Sequence, residues 1–161
     1  MVSKKEKTCC VFGHRTVDVS EVLKEKIYEI AEKLVREKGI DTFLFGSGSR
    51  FDCLCLEAVT LLKEKYPHIK RIYVRAEFFC ISDKYREYLL ESYDDTYYPE
   101  EIKGAGKAVY VKRNQVLINN SIICLVYYNE NYFPSTRKSG TRLAYDYAIK
   151  HKKEIENVFI T

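Results

Sequence analysis

The segment Gly46-Ser47-Gly48-Ser49-Arg50-Phe51-Asp52 carries the residue types that hold an anion: small residues that let the main chain approach a ligand, hydroxyl donors, and a guanidinium at a helix start. It is not a Walker loop for a nucleoside triphosphate, because the Gly-Lys-Ser/Thr ending is missing. It also departs from the Gly-x-Gly-x-x-Gly dinucleotide pattern, since Phe51 stands at the third glycine. Two further junctions repeat the logic. Ser139-Gly140-Thr141 offers an N-cap hydroxyl, helix-terminal amides and a threonine donor, and Gly13-His14-Arg15 follows an apolar run. Arg15 suits planar, bidentate contact to phosphate or carboxylate, Arg50 and Lys138 add positive charge, and His14 is either a ligand contact or a hydrogen-bonded turn residue. Arg113 and Asn114 stand in a later helical segment, and Tyr97 and Tyr98 offer rings on which a base can stack.

Two carboxylates, Asp52 and Glu57, are the candidates for acid–base work. Five residues apart on a helix, they are rotated by roughly 140° and do not share a face. Asp52 reads as a helix N-cap or as a ribose partner. Glu57 sits among Leu54, Leu56 and Ala58, so it is either partly buried and functional or directed to solvent past that stripe.

The elements that must position these residues follow from periodicity. Apolar runs at 8–12, 42–45, 71–75, 122–127 and 157–160 read as strands. Helical patterns fill the intervals: a helix capped by Asp18 with Glu21 in capping-box position and ending at Gly39, then 52–65 stopped by Pro67, 82–92, 107–118 and 139–151. Residues 93–106 carry loop chemistry and are expected to form a lid. Five alternations of strand and helix predict an α/β fold, a three-layer sandwich with a mostly parallel sheet of about five strands. In such a sheet the three junctions share the edge beyond the strand carboxyl ends, with the first turn of each helix facing the crevice. The expected ligand is small and anionic.

Bulk properties narrow the partners. A chain of 161 residues with 46% hydrophobic and 31% charged residues fits one globular domain. The formal charge of +4 arises from 27 basic and 23 acidic residues spread along the chain, and His151-Lys152-Lys153 is answered by Glu154 and Glu156, which disfavours a nucleic-acid stripe. No apolar run spans a bilayer, and the polar opening segment lacks a signal-peptide core, so a cytoplasmic location with no membrane partner is expected. Cysteines 9, 10, 53, 55, 80 and 124 lack zinc-ligand spacing and read as free thiols, so neither a metal nor a cofactor is expected. Homo-oligomerisation is compatible with such a sheet, but no residue specifies it.

Cys10-Val11-Phe12-Gly13-His14-Arg15, the loop 46–52 with Glu57 beyond it, Lys112-Arg113-Asn114-Gln115, Asn119-Asn120-Ser121, and Ser139-Gly140-Thr141 with Tyr147-Ala148 occur in this order across nearly the whole chain. In that arrangement the sequence resembles the YpsA-like branch of the SLOG superfamily. The resemblance implies a Rossmann-like domain over residues 1–161, in a superfamily that includes the Lonely Guy phosphoribohydrolases, single-strand DNA-binding DprA proteins, and sensors of nucleotide-derived signals such as cyclic ADP-ribose species. The Lonely Guy motif Pro-Gly-Gly-x-Gly-Thr-x-x-Glu is similar at Gly140-Thr141, but Arg137-Lys138-Ser139 replaces its first residues and Ala144 stands where its glutamate acts. The expectation is therefore binding of a nucleotide-derived phosphate ligand, of nucleoside monophosphate, ADP-ribose or cyclic ADP-ribose type, in sensing, regulation or sequestration. The alternatives are an N-glycosidase acting on nucleoside monophosphates and, less favoured, single-stranded DNA binding.

Overall fold

Runs of Val, Ile, Phe and Cys without polar alternation form strands that are covered on both faces, and the amphipathic segments between them supply the cover. The computed structural model describes residues 5–131 and 139–159. The expected cation at Lys138 and the strand end at Ile160 lie outside those residues. In chain order the elements are β1 (Thr8–Gly13), α1 (Glu21–Lys38), β2 (Thr42–Phe45), α2 (Arg50–Lys65), β3 (Lys70–Val74), α3 (Asp83–Leu90), β4 (Asp95–Tyr97), α4 (Val109–Asn119), β5 (Ile123–Tyr127), α5 (Gly140–Lys150) and β6 (Glu154–Asn157). The six strands form one sheet in the order β4-β3-β2-β1-β5-β6, with every pair parallel. This is a Rossmann-like α/β sandwich.

Strand geometry sends successive side chains to opposite faces, and the core divides accordingly. Cys9, Val11, Phe43, Phe45 and Leu125 pack beneath Leu23, Ile27 and Leu34 of α1 and Leu54, Ala58 and Leu62 of α2. Cys10, Phe12, Leu44, Cys124 and Val126 pack beneath Leu117 of α4 and Ala144 and Ala148 of α5. β1 lies between β2 and β5, so the chain winds outward on one side of β1 and then crosses to the other. That reversal opens a crevice beyond the carboxyl ends of the strands.

Several expected boundaries move. α1 is capped by Ser20, not Asp18: the Ser20 hydroxyl accepts from Leu23 N–H at 3.1 Å, after Val17 has turned into the core. β6 begins at Glu154, because pairing with β5 sets its register despite a polar sequence. The segment 93–106 is not an open lid. It contains β4 and two short 3₁₀ turns, Glu100–Ile102 and Gly106–Ala108, around the buried Ile102. Arg71 fixes its start with paired bonds to Asp94, both at 3.1 Å.

No helix among the described residues is long and apolar enough to cross a membrane. The six cysteines are free thiols, with 9, 10, 55 and 124 buried. Among the described residues no group of three or more His, Cys, Asp or Glu side chains could hold a metal ion.

Candidate functional site

The crevice at the β1–β5 reversal has a volume of about 960 Å³. The exit of β1 supplies Gly13, His14 and Arg15 to its wall, the β2–α2 junction supplies Gly46, Ser47, Gly48, Ser49, Arg50 and Asp52, α4 supplies Arg113 and Asn114, and the start of α5 supplies Ser139, Gly140 and Thr141. The three glycine-bearing junctions thus meet at one rim. Glu57 does not join them; it is exposed on α2, outside the lining residues. The first turn of α1 is also absent from the wall, because seven residues separate Gly13 from Glu21. The starts of α2 and α5 line the crevice with their capping serines, Ser49 and Ser139, whereas the first turns of α3 and α4 contribute Tyr85 and Tyr110 to its wall.

The Gly46–Asp52 loop is held by a reciprocal cap. Ser49, in extended conformation, is the N-cap of α2, and its hydroxyl accepts from Asp52 N–H at 3.3 Å while lying 3.1 Å from Asp52 Oδ1 as a donor. The other carboxylate oxygen, Oδ2, accepts from Ser47 N–H at 3.1 Å and Gly46 N–H at 3.4 Å. Asp52 is therefore neither N-cap nor free ligand; it clamps the loop from inside the first turn. Its side chain is 3% exposed, and burial pushes its pKa up to about 6 against the lowering effect of these donors and of Arg113. The clamp uses some amides and spares others. The N–H groups of Gly48, Arg50 and Phe51, and those of Gly140 and Thr141 behind the Ser139 cap, make no hydrogen bond among the described residues. Such amides, at the positive end of a helix dipole, attract anions.

Arg113 is 6% exposed and spans the crevice floor. Its Nη1 donates to Gly46 O and lies 3.5 Å from Val74 O, and its Nε donates to Asn114 Oδ1 at 3.0 Å. Burial lowers its pKa from the ordinary value, and the charge on Asp52 opposes that shift. A Cβ on Gly46 would fall 2.7 Å from Arg113 Nε, so glycine is required there to admit the guanidinium rather than a ligand. Gly13 has a similar role. A Cβ there would lie 2.6 Å from the Phe51 ring and 3.1 Å from Tyr127 Cβ. Gly48 and Gly140 face open space, which leaves their backbone accessible.

His14 is buried, and its Nε2 accepts from Asn129 N–H at 2.9 Å. That bond requires an unprotonated Nε2, and burial lowers the imidazole pKa. The ring lies 5.6 Å from that of Tyr128. His14 thus ties the β1 exit to the β5 exit as a neutral hydrogen-bonded turn residue. Arg15 and Arg50 are exposed at the rim.

Residues beyond β3 complete the wall, and periodicity gave no sign of them. Arg75, 8% exposed, donates to Phe78 O at 3.2 Å, Phe79 O at 3.3 Å and Thr96 Oγ1 at 3.1 Å, bracing the β3–α3 connection. Tyr73, Phe78, Tyr85 and Tyr110 supply aromatic surface, and Glu77 supplies a second carboxylate. Tyr97 and Tyr98 do not line this crevice: Tyr97 belongs to β4, and Tyr98 packs on Phe79 with ring centroids 5.5 Å apart. An arginine directly after a strand was the one available signal, and its use depended on knowing that β3 lies on the same side of β1 as β2.

No curated protein matches the chain. A family model, YpsA, described as the YspA SLOG family, matches residues 4–161, nearly the whole sequence. The match carries a nucleotide-related function with it. Fold, crevice and family model agree, and the chain belongs to the YpsA family of SLOG proteins.

Proposed function

We propose that the protein is a binding module for a nucleotide-derived phosphate ligand, of nucleoside monophosphate, ADP-ribose or cyclic ADP-ribose type, serving sensing, regulation or sequestration. The observation that carries this reading is the pairing of two helix N-termini, those of α2 and α5, whose leading amides make no hydrogen bond among the described residues, across a crevice that also holds Arg15, Arg50, Arg75 and Arg113. Phosphate oxygens would take the amides of Gly48, Arg50, Gly140 and Thr141, and Arg50 would close over them. The aromatic wall supplies surface for a base.

A second reading, hydrolysis of an N-glycosidic bond, rests on Asp52, whose pKa near 6 lies in the range of a general acid. Against it, both Asp52 oxygens already serve the loop clamp, and Ala144 packs in the core below α5. Binding is therefore preferred to turnover.

Calorimetry against AMP, ADP-ribose, its cyclic forms and NAD tests the reading. Binding of at least one, weakened by Arg50→Ala, supports it; no binding by any, or binding indifferent to Arg50→Ala, overturns it. Chromatography of AMP after long incubation tests the second reading, which requires free adenine to accumulate.

A further inference from the structure

The crevice does not end at its aromatic wall. A second depression of about 370 Å³ adjoins it, lined by Ile102, Gly104 and Gly106, and the two share Ala76, Glu77 and Tyr110 as a common saddle. The main crevice alone is near the upper end of the roughly 300–1,000 Å³ typical of small-molecule sites. With the adjoining space there is room for more than a mononucleotide.

The chemistry changes across the saddle. The arginines line only the main crevice, whereas the saddle presents a carboxylate: Tyr110 donates its hydroxyl to Glu77 Oε1 at 2.7 Å. Glu77 Oε2 accepts no hydrogen bond among the described residues. A phosphate would be repelled there, and a hydroxyl-bearing group would find a carboxylate acceptor. The part of a ligand that crosses the saddle must therefore carry no negative charge, and a sugar supplies the hydroxyl donors that the carboxylate accepts.

We propose that Glu77 and Tyr110 are specificity-determining residues that select nucleotides extended by a second sugar, of the ADP-ribose class, over mononucleotides. This rests on the reading of the crevice as a nucleotide site. The test is calorimetry with two probes, AMP and ADP-ribose, on the full chain and on Glu77→Ala and Tyr110→Phe. ADP-ribose is expected to bind the unaltered chain about tenfold or more tightly than AMP, and each variant should lose several times more affinity for ADP-ribose than for AMP, erasing most of that preference. Equal affinity for the two probes, or variants that weaken both alike, would overturn the assignment and leave the nucleotide site standing. If neither probe binds the unaltered chain, this assignment falls, and the nucleotide reading is decided by the cyclic forms and NAD of the wider panel.

Discussion

Asp52 and Arg113 grip the two peptides that meet at Gly46: the carboxylate accepts from Gly46 N–H, and the guanidinium donates to Gly46 C=O. One buried acid and one buried base thereby fix the point where β2 gives way to the Gly46–Asp52 loop. Neither is then available as a mobile catalytic group, and each should be read first as a builder of the site.

Replacing Gly46 by alanine should destabilise the fold by about 1–3 kcal/mol, because the new methyl would overlap a guanidinium pinned by carbonyls. Gly48→Ala, two residues away in open space, should change stability by less than about 0.5 kcal/mol. Urea denaturation of the two variants checks the contrast, which disappears if Arg113 can swing aside.

Arg113→Ala and Arg50→Ala should separate structure from binding. Arg113→Ala leaves the carbonyl of Gly46 without its buried donor and should lower stability by about 2–4 kcal/mol, with Arg113→Lys giving little rescue because a single ammonium cannot reproduce the fork. Exposed Arg50→Ala should leave the melting temperature nearly unchanged while weakening AMP binding about tenfold. Parallel melts and titrations read both effects.

Stability should respond to pH through Asp52. Its folded pKa of about 6 exceeds the ordinary aspartate value of about 4, so the folded state holds the proton longer than the unfolded chain does. Stability from this group is therefore fully present below about pH 4 and falls as pH rises to about 6, by roughly 3 kcal/mol in total. Denaturation of the unaltered protein and of Asp52→Asn across this window should show the slope only in the former.

His14 should titrate in the opposite sense. Burial lowers its pKa, so the folded state resists protonation, and stability from the neutral ring is lost as pH falls below the ordinary histidine value of about 6.5. Nitrogen NMR of the imidazole should show Nε2 unprotonated at pH 7 and a midpoint below 6.5; a midpoint above that value would contradict the bond from Asn129 N–H.

Much of this arrangement was legible in the sequence where the signal is local. Ser139 reads as a cap because a serine preceding an amphipathic run after a strand has few other uses, and its hydroxyl accepts from Arg142 N–H at 3.0 Å. Ser49 and Asp52 were harder, since both are good cap formers three residues apart and the reciprocal pattern is consistent with either as the start; the extended backbone at Ser49 decides it. Glu57 could be set aside only with coordinates, although its rotation from Asp52 already pointed that way. Arg75, Tyr73 and Glu77 were beyond reach, because their place in the wall depends on strand order, and periodicity does not encode it.

Phe51 sits against Gly13 at the end of β1 and has its ring 5.8 Å from that of Tyr127 at the end of β5, while its own amide lies in the turn that begins α2. One aromatic ring is thus a keystone shared by three strand exits. A guest that shifted the α2 turn would move Phe51, which is buried against both neighbours, so the pocket should respond to occupancy as a single body, with fragments of the ligand captured less well than their separate contacts would suggest.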